Sequence, residues 1–199
     1  MKIDFKRNLP HMYREDAIYN INFRLANSLP RIIISNYLDQ KNQLLIDNRK
    51  LESRNLYYEM IDPYLDHPKE GPLWLMDPIV MDIVKSSLHY FEKKYYSIIC
   101  FCIMGNHVHL IINTLGYPSK PLGDLLGSIK KYSARKINIH MGRSGSFWHP
   151  ESYDHIIRSR NELADTIDYV IKNPVKAGLI ENWEKWPGTY IHQRYLSRL

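Results

Sequence analysis

Residues 95–113 constrain the fold more than any other part of the chain. The runs YYSIICFCIM (95–104) and HVHLIIN (107–113) are dense in β-branched and aromatic side chains, and the dipeptide Gly105-Asn106 separates them. Two apolar runs of strand length around a two-residue turn form an antiparallel hairpin, and runs this apolar belong at the centre of a sheet. The order Gly-Asn, rather than Asn-Gly, leaves the turn type open.

Around this hairpin the pattern predicts the remaining layers. Residues 17–26 alternate Ile18, Ile21, Phe23 and Leu25 with Asn20, Asn22 and Arg24, which reads as a half-buried strand with an irregular start. Residues 30–61 read as one long or two shorter surface helices, and 66–77, punctuated by Pro68, Gly71 and Pro72, as loop. Asp77-Pro78 opens a helix to about Lys93, with Ile79, Ile83, Val84, Leu88 and Phe91 as its apolar stripe. Residues 122–140 form a basic amphipathic helix, and 153–158 an edge strand. Asn161 caps a last helix that Asn173-Pro174 stops at about Lys172. The domain assignment is a single domain over 1–199, with a helical insertion at about 30–65 and a C-terminal tail from about 181.

Composition narrows the class. A chain of 199 residues with 44% hydrophobic and 24% charged residues has the profile of an ordinary globular protein. The start lacks an apolar leader and no run approaches the ~18 residues of a membrane span. The expected setting is the cytoplasm, with no membrane partner. Cys100 and Cys102 alternate along one strand and are expected to be small apolar residues of the sheet, not a disulfide or a metal pair. The net charge of +6 permits a polyanionic partner. Much of it lies between Lys120 and Arg143, where Lys120, Lys130, Lys131, Arg135, Lys136 and Arg143 oppose only Asp124. Tyr132, Phe147, Trp148 and Tyr153 stand among or beside them. Cations for phosphates and aromatic faces for bases make up a single-strand nucleic-acid groove. Lys130, Lys131, Arg135, Lys136, Arg143, Trp148 and Arg158 are its candidate contacts; a solvated helix face is the plainer alternative.

Two constellations carry chemistry. His107 and His109 are i and i+2 on a strand, so both imidazoles leave one face, about 6–7 Å apart along the backbone, and can reach one divalent cation. Tyr169 and Asn173 are i and i+4 on the last helix and share one face.

The combination resembles a known family. His107-Val108-His109 after Gly105-Asn106 is similar to the His-hydrophobic-His signature of single-tyrosine DNA transposases. The segment 168–180, DYVIKNPVKAGLI, resembles the catalytic-tyrosine segment of their REP-associated branch. GPLWLMDP (71–78), KKYSARKIN (130–138) and GSFWHPESYDHIIR (145–158) resemble that branch too, in the same order. The resemblance covers about residues 17–186 and is weakest over 30–65. It implies an α+β, ferredoxin-like antiparallel sheet with helices packed on one face and the histidine motif on a central strand. It implies Tyr169 as nucleophile, His107, His109 and Asn173 as ligands of Mg²⁺ or Mn²⁺, and single-stranded DNA with REP-like hairpins as substrate. The product would be a 5′-phosphotyrosine link and a free 3′-hydroxyl, which allows strand transfer. A nucleoid association in a prokaryote follows, with monomer and homodimer both open. Gly105 replaces the proline usual before Asn-His, and His149 follows Trp148 where glutamine is common. These departures bear on turn rigidity and DNA recognition. The alternative is a non-catalytic nucleic-acid-binding protein on the same fold. A zinc or nucleotide hydrolase is disfavoured, because Ile111 stands where a third histidine would and no HExxH occurs.

Overall fold

A computed structural model describes residues 3–4, 11–12 and 16–196; the rest of the span assigned to the domain lies outside the described residues. A short antiparallel pair, Ile3–Asp4 (β1) with His11–Met12 (β2), precedes the main sheet. That sheet has five strands: β3 (Ile18–Leu25), β4 (Ser97–Ile103), β5 (His107–Asn113), β6 (Trp148–Ile157) and β7 (Thr189–Ile191). All pairings are antiparallel, in the order β6-β3-β5-β4-β7. The predicted hairpin β4–β5 is present, and β5 is the central strand. The edge strand β6 is there but begins at Trp148, five residues earlier than expected.

Helices fill the connections. Arg31–Ile46 (α1), Lys50–Met60 (α2) and Asp62–Asp66 (α3) follow β3; Pro78–His89 (α4) precedes the hairpin; Leu122–His140 (α5) follows it. Arg160–Lys176 (α6) follows β6, and a short Gln193–Leu196 (α7) ends the described chain. Asp77 caps α4 as predicted, its Oδ1 accepting from the Ile79 and Val80 amides at 2.8 and 3.1 Å. The stripe of α4 is rotated from the expected one: Val80, Met81, Val84 and Leu88 are buried, while Ile79 is exposed.

Strand alternation divides the core into two faces. Tyr19, Ile21, Phe23, Val108, Leu110 and Ile112 pack with Val84 of α4 and Leu125 and Ile129 of α5. Ile99, Cys100, Cys102 and Ile111 pack with Ile167, Val170 and Ile171 of α6. The α+β class therefore holds, with α4 and α5 on one face and α6 across the other. Helices α1–α3 share the α6 side. Leu56, Tyr57, Ile61 and Leu65 form a third cluster with Tyr37 and with Tyr153 of β6, so these helices are not merely surface. Beneath them Asn20, Asn22 and Arg24, the polar half of the β3 alternation, are 3%, 2% and 8% exposed. The strand is buried on both sides. Both cysteines are buried and unpaired by disulfide, as expected. Among the described residues, no helix is long and apolar enough to cross a membrane.

The last helix departs from prediction at both ends. Its cap is Ser159, whose Oγ accepts from the Glu162 amide at 3.1 Å, not Asn161. It does not stop at Lys172 but runs through Pro174 to Lys176, where Gly178 at φ +69 takes the left-handed exit. Proline so near the C-terminus forfeits one backbone bond, and burial of Asn173 and Pro174 against the sheet offsets that loss.

Candidate active site

The strand register builds the first half of the site. His107 and His109 leave β5 on the α6 face, 0% and 1% exposed, and their Nε2 atoms stand 2.9 Å apart. The His107 Nδ1 proton goes to Asn106 Oδ1 at 2.7 Å, which leaves the Nε2 lone pair pointing at the partner ring. Asn22 is the cross-strand partner of His109, and its amide lies 3.3 Å from His109 Nδ1. Burial keeps both rings neutral. It pushes His109 down to about 3, with the Lys176 charge adding to the fall. His107 sits well below the ordinary imidazole value through burial and then through His109.

Helix α6 brings the second part. Because the helix continues through Pro174, Tyr169 and Asn173 stay one turn apart on the face turned to the sheet. Asn173 is fully buried, with Nδ2 3.0 Å from His109 Nε2. The Tyr169 ring meets the His109 ring edge-on at 5.8 Å, and the Lys176 ammonium lies 4.6 Å from the Tyr169 ring centre. Tyr169, both histidines and Asn173 thus converge within one chain.

Helix α3 brings a third part, absent from the sequence-based candidates. Asp62, 1% exposed, accepts the Tyr169 hydroxyl on Oδ2 at 2.8 Å and the Asn22 amide on Oδ1 at 2.9 Å. One turn on, Asp66 Oδ1 approaches His107 Nε2 at 3.5 Å. Burial pushes the Asp62 carboxyl up to about 8, against the hydrogen bond from Tyr169, while the nearby Asp66 adds to the rise. Burial likewise takes Asp66 up to about 7, opposed by Lys176. The Tyr169 phenol is raised above its ordinary range by burial first and the Asp62 charge second. The signal that could have found the acids is DPYLD (62–66), two carboxylates at i and i+4 on either side of a proline in the first turn of a helix.

The donor set suits a divalent cation. Oδ or ring-nitrogen atoms of Asp66, His107 and His109 lie within 4.8 Å of one another. Among the described residues, three buried side-chain oxygens lack a hydrogen-bond partner: Asn22 Oδ1, Asp66 Oδ1 and Asn173 Oδ1. All three belong to residues of this site. A half-turn of the Asn173 amide presents its oxygen where Nδ2 now stands. Two imidazole nitrogens, an amide oxygen and a carboxylate are ligands that Mn²⁺-like ions accept.

The nucleic-acid candidates separate into exposed and structural groups. Lys131, Arg135 and Lys136 are exposed on α5, as is Arg158 after β6. Tyr132 stacks on Tyr90 with ring centres 6.1 Å apart, and Lys136 stands 5.1 Å over Tyr132. Arg143 is half-buried, its guanidinium 3.9 Å over the Trp74 ring and its Nη1 on Asn138. Lys130 and Trp148 are engaged within the fold. The Lys130 ammonium is buried and donates to the carbonyls of His149, Pro150 and Glu151 and to Ser152 Oγ, fastening α5 to β6. Trp148 is a core residue, its indole N–H on Ser133 Oγ at 2.9 Å. Both also line a cavity between α5 and the start of β6.

The chain is similar to known proteins. The family described as "Transposase IS200 like" matches residues 74–173, a span holding His107, His109, Tyr169 and Asn173 and leaving out Asp62 and Asp66. A Haemophilus influenzae protein assigned as a REP-associated tyrosine transposase is 24% identical over 145 residues, 62% of this chain and 82% of that protein. The Escherichia coli REP-associated tyrosine transposase is 26% identical over 98 residues, and the match spans 49% of this chain and 56% of that protein. The solved structure of a REP-associated tyrosine transposase bound to a REP hairpin has the same fold, with TM-score 0.54 and 15% identity over 94% of this chain and 81% of that one.

Proposed function

We infer what the chain does from one premise: it belongs to the IS200-like transposase family, with REP-associated tyrosine transposases as its relatives. It is a DNA-processing, transposase-like enzyme. Our finer reading is a divalent-cation-dependent endonuclease and strand transferase that cuts single-stranded, hairpin-forming DNA through a 5′-phosphotyrosine link. The observation that carries it is the meeting, in one chain, of the Tyr169 phenol with His109 of the buried imidazole pair, 5.8 Å ring to ring, and with the Asp62 carboxylate at 2.8 Å. The non-catalytic alternative leaves this expensive burial of ionisable groups without a purpose.

His107, His109 and Asn173 would hold Mg²⁺ or Mn²⁺, which when bound polarises the scissile phosphate and neutralises charge that develops on it. Everything else falls to side chains. Tyr169 Oη attacks phosphorus as its proton passes to Asp62 Oδ2. The bond from phosphorus to the 3′-oxygen breaks, and that oxygen leaves as a hydroxyl after taking up a proton. Lys176, beside the phenol ring, favours the phenolate as it forms. The link retains the phosphodiester energy, so another 3′-hydroxyl can reverse the step onto a new strand. The exposed cations of α5 with Tyr132 and Tyr90 make a surface for phosphates and stacked bases. A hairpin substrate is supported by the REP hairpin bound to the solved relative.

The test is a labelled single-stranded hairpin oligonucleotide incubated with Mn²⁺ and resolved under denaturing conditions. The parent protein should yield a covalent adduct; Tyr169→Phe should yield none while still retarding the oligonucleotide in a native gel. An adduct that persists in Tyr169→Phe removes Tyr169 as nucleophile.

A further inference from the structure

The insertion helix α3 carries a carboxylate whose surroundings point to a ligand. Asp66 is 9% exposed, and its Oδ1 has no hydrogen-bond partner. His107 Nε2 stands 3.5 Å from it. That nitrogen has no proton to give, because the His107 Nδ1 proton is committed to Asn106 at 2.7 Å. His107 Nε2 also faces His109 Nε2 at 2.9 Å. The lone pairs of His107 Nε2 and Asp66 Oδ1 are therefore aimed at one small buried volume, an arrangement that repels itself unless a proton or a cation is shared between them.

Charge argues the same way. Two neutral imidazoles and an amide bring no negative charge to a buried dication, and hard cations favour carboxylate oxygens. Of the two acids on α3, Asp62 has both oxygens engaged, by Tyr169 and by Asn22. Asp66 alone has an oxygen left over, and it is the one within 4.8 Å of both imidazole nitrogens. On the cation reading above, on which this rests, we propose that Asp66 is a fourth protein ligand, delivered by the insertion to a site whose other ligands lie in the family-matched core. The insertion is then part of the metal centre: cation binding ties α3 to β5.

Direct metal binding tests this without DNA or turnover. The full-length protein is titrated with Mn²⁺, following the electron paramagnetic resonance of the free ion, as parent, Asp66→Asn, Asp62→Asn and His109→Ala. The parent should take up one Mn²⁺ and His109→Ala should lose it. Asp66→Asn should bind at least ~10-fold more weakly than Asp62→Asn, which removes a nearby charge but no ligand. The visible bands of bound Co²⁺ should move in Asp66→Asn and stay in place in Asp62→Asn. Equal losses in the two acid variants, with unmoved Co²⁺ bands, would reduce Asp66 to a distant charge and overturn the proposal. Undiminished affinity in Asp66→Asn, with His109→Ala still defective, overturns it while leaving the cation reading intact. Binding that survives His109→Ala and His107→Ala together takes down the cation reading itself. Melting of the metal-free proteins guards against misfolding: Asp66→Asn should melt at or above the parent. If it melts below, Asp66→Ser, which leaves room for water, takes its place under the same criteria.

Discussion

The site has two halves built on different periodicities. On β5 two imidazoles share a face because a strand repeats every two residues; on α3 two carboxylates share a face because a helix repeats in nearly four. Burial acts on both in opposite senses of charge and to the same end. His109 is held neutral by a value pushed down to about 3, and Asp62 is held protonated by a value pushed up to about 8. The difference is one of provenance. The imidazole half lies in the family-matched core with Tyr169 and Asn173, while the carboxylate half comes from outside it. In this chain the carboxylates of α3 reach groups of that core, Asp62 at Tyr169 and Asp66 at His107.

If the halves divide the work this way, the largest effect belongs to the β5 half. His107→Ala with His109→Ala should reduce Mn²⁺-dependent hairpin cleavage to background, measured as adduct formed per unit time. Cleavage that still responds to Mn²⁺ would dissolve the comparison, because no imidazole site would be needed. The α3 half should act second. Asp62→Asn keeps the side-chain shape but cannot take the phenol proton, so cleavage should fall by roughly 10²–10⁴-fold with the same covalent product. The parent rate should climb with pH along a limb that ends at or below about pH 8, since a nearby cation favours the carboxylate, and Asp62→Asn should lack that limb. An unaltered pH profile would leave Asp62 as a positioning partner only.

The basic face of α5 gives a smaller, separable effect. It lies on the far side of the sheet from both halves, so neutralising Lys131, Arg135 and Lys136 should weaken hairpin binding at all sequences. The salt slope should fall by up to about 3, one unit for each phosphate no longer neutralised. Cleavage at saturating DNA should hardly change. A salt slope equal to the parent's would mean that this face meets solvent only. Lys130 is left out of the set because its removal strips the carbonyls of His149, Pro150 and Glu151 of their donor and would loosen β6.

The two halves also differ in how far they could be read from residues alone. His107-Val108-His109 was legible because the hairpin and the two-residue period are local, and Tyr169 with Asn173 because i and i+4 share a helical face wherever the helix goes. The placement of Asp62 beside Tyr169, 107 positions away, rests on a tertiary contact that no local period encodes. The β3 alternation misled for a physical reason. Asn20, Asn22 and Arg24 have the look of a solvent face, yet they are buried beneath helices α1–α3, with Asn22 bonded to Asp62 and Arg24 to Ser28. Alternation reports which residues share a side, not what covers that side. Pro174 misled through a local rule that packing overrode: a stop at Lys172 would have spoiled the aim of Asn173 at His109, which the continued helix preserves.

The last and smallest effect separates the halves without DNA or metal, through the pH dependence of stability in chelator. Asp62 has a folded value of about 8 against an ordinary 3.8, so it contributes stability that is complete below about 3.8 and disappears as pH rises through about 8. His109 has a folded value of about 3 against 6.5, so its contribution is present above 6.5 and disappears as pH falls toward about 3. Between pH 4 and 6.5 the two trends oppose each other. Above 6.5 the imidazole no longer changes and the carboxyl half acts alone, so unfolding free energy should fall with pH up to about 8, by at most about 1.4 kcal/mol per pH unit for each carboxyl involved. Asp62→Asn should flatten that decline by about one carboxyl's share, and His109→Ala should leave it in place while lessening the loss on acidification, of which His107 supplies a further part. Urea melts at half-unit pH steps measure both. A decline above pH 6.5 that is equally steep in Asp62→Asn would show that Asp62 folds as a carboxylate, and that burial has not set the α3 half as it has set the β5 half.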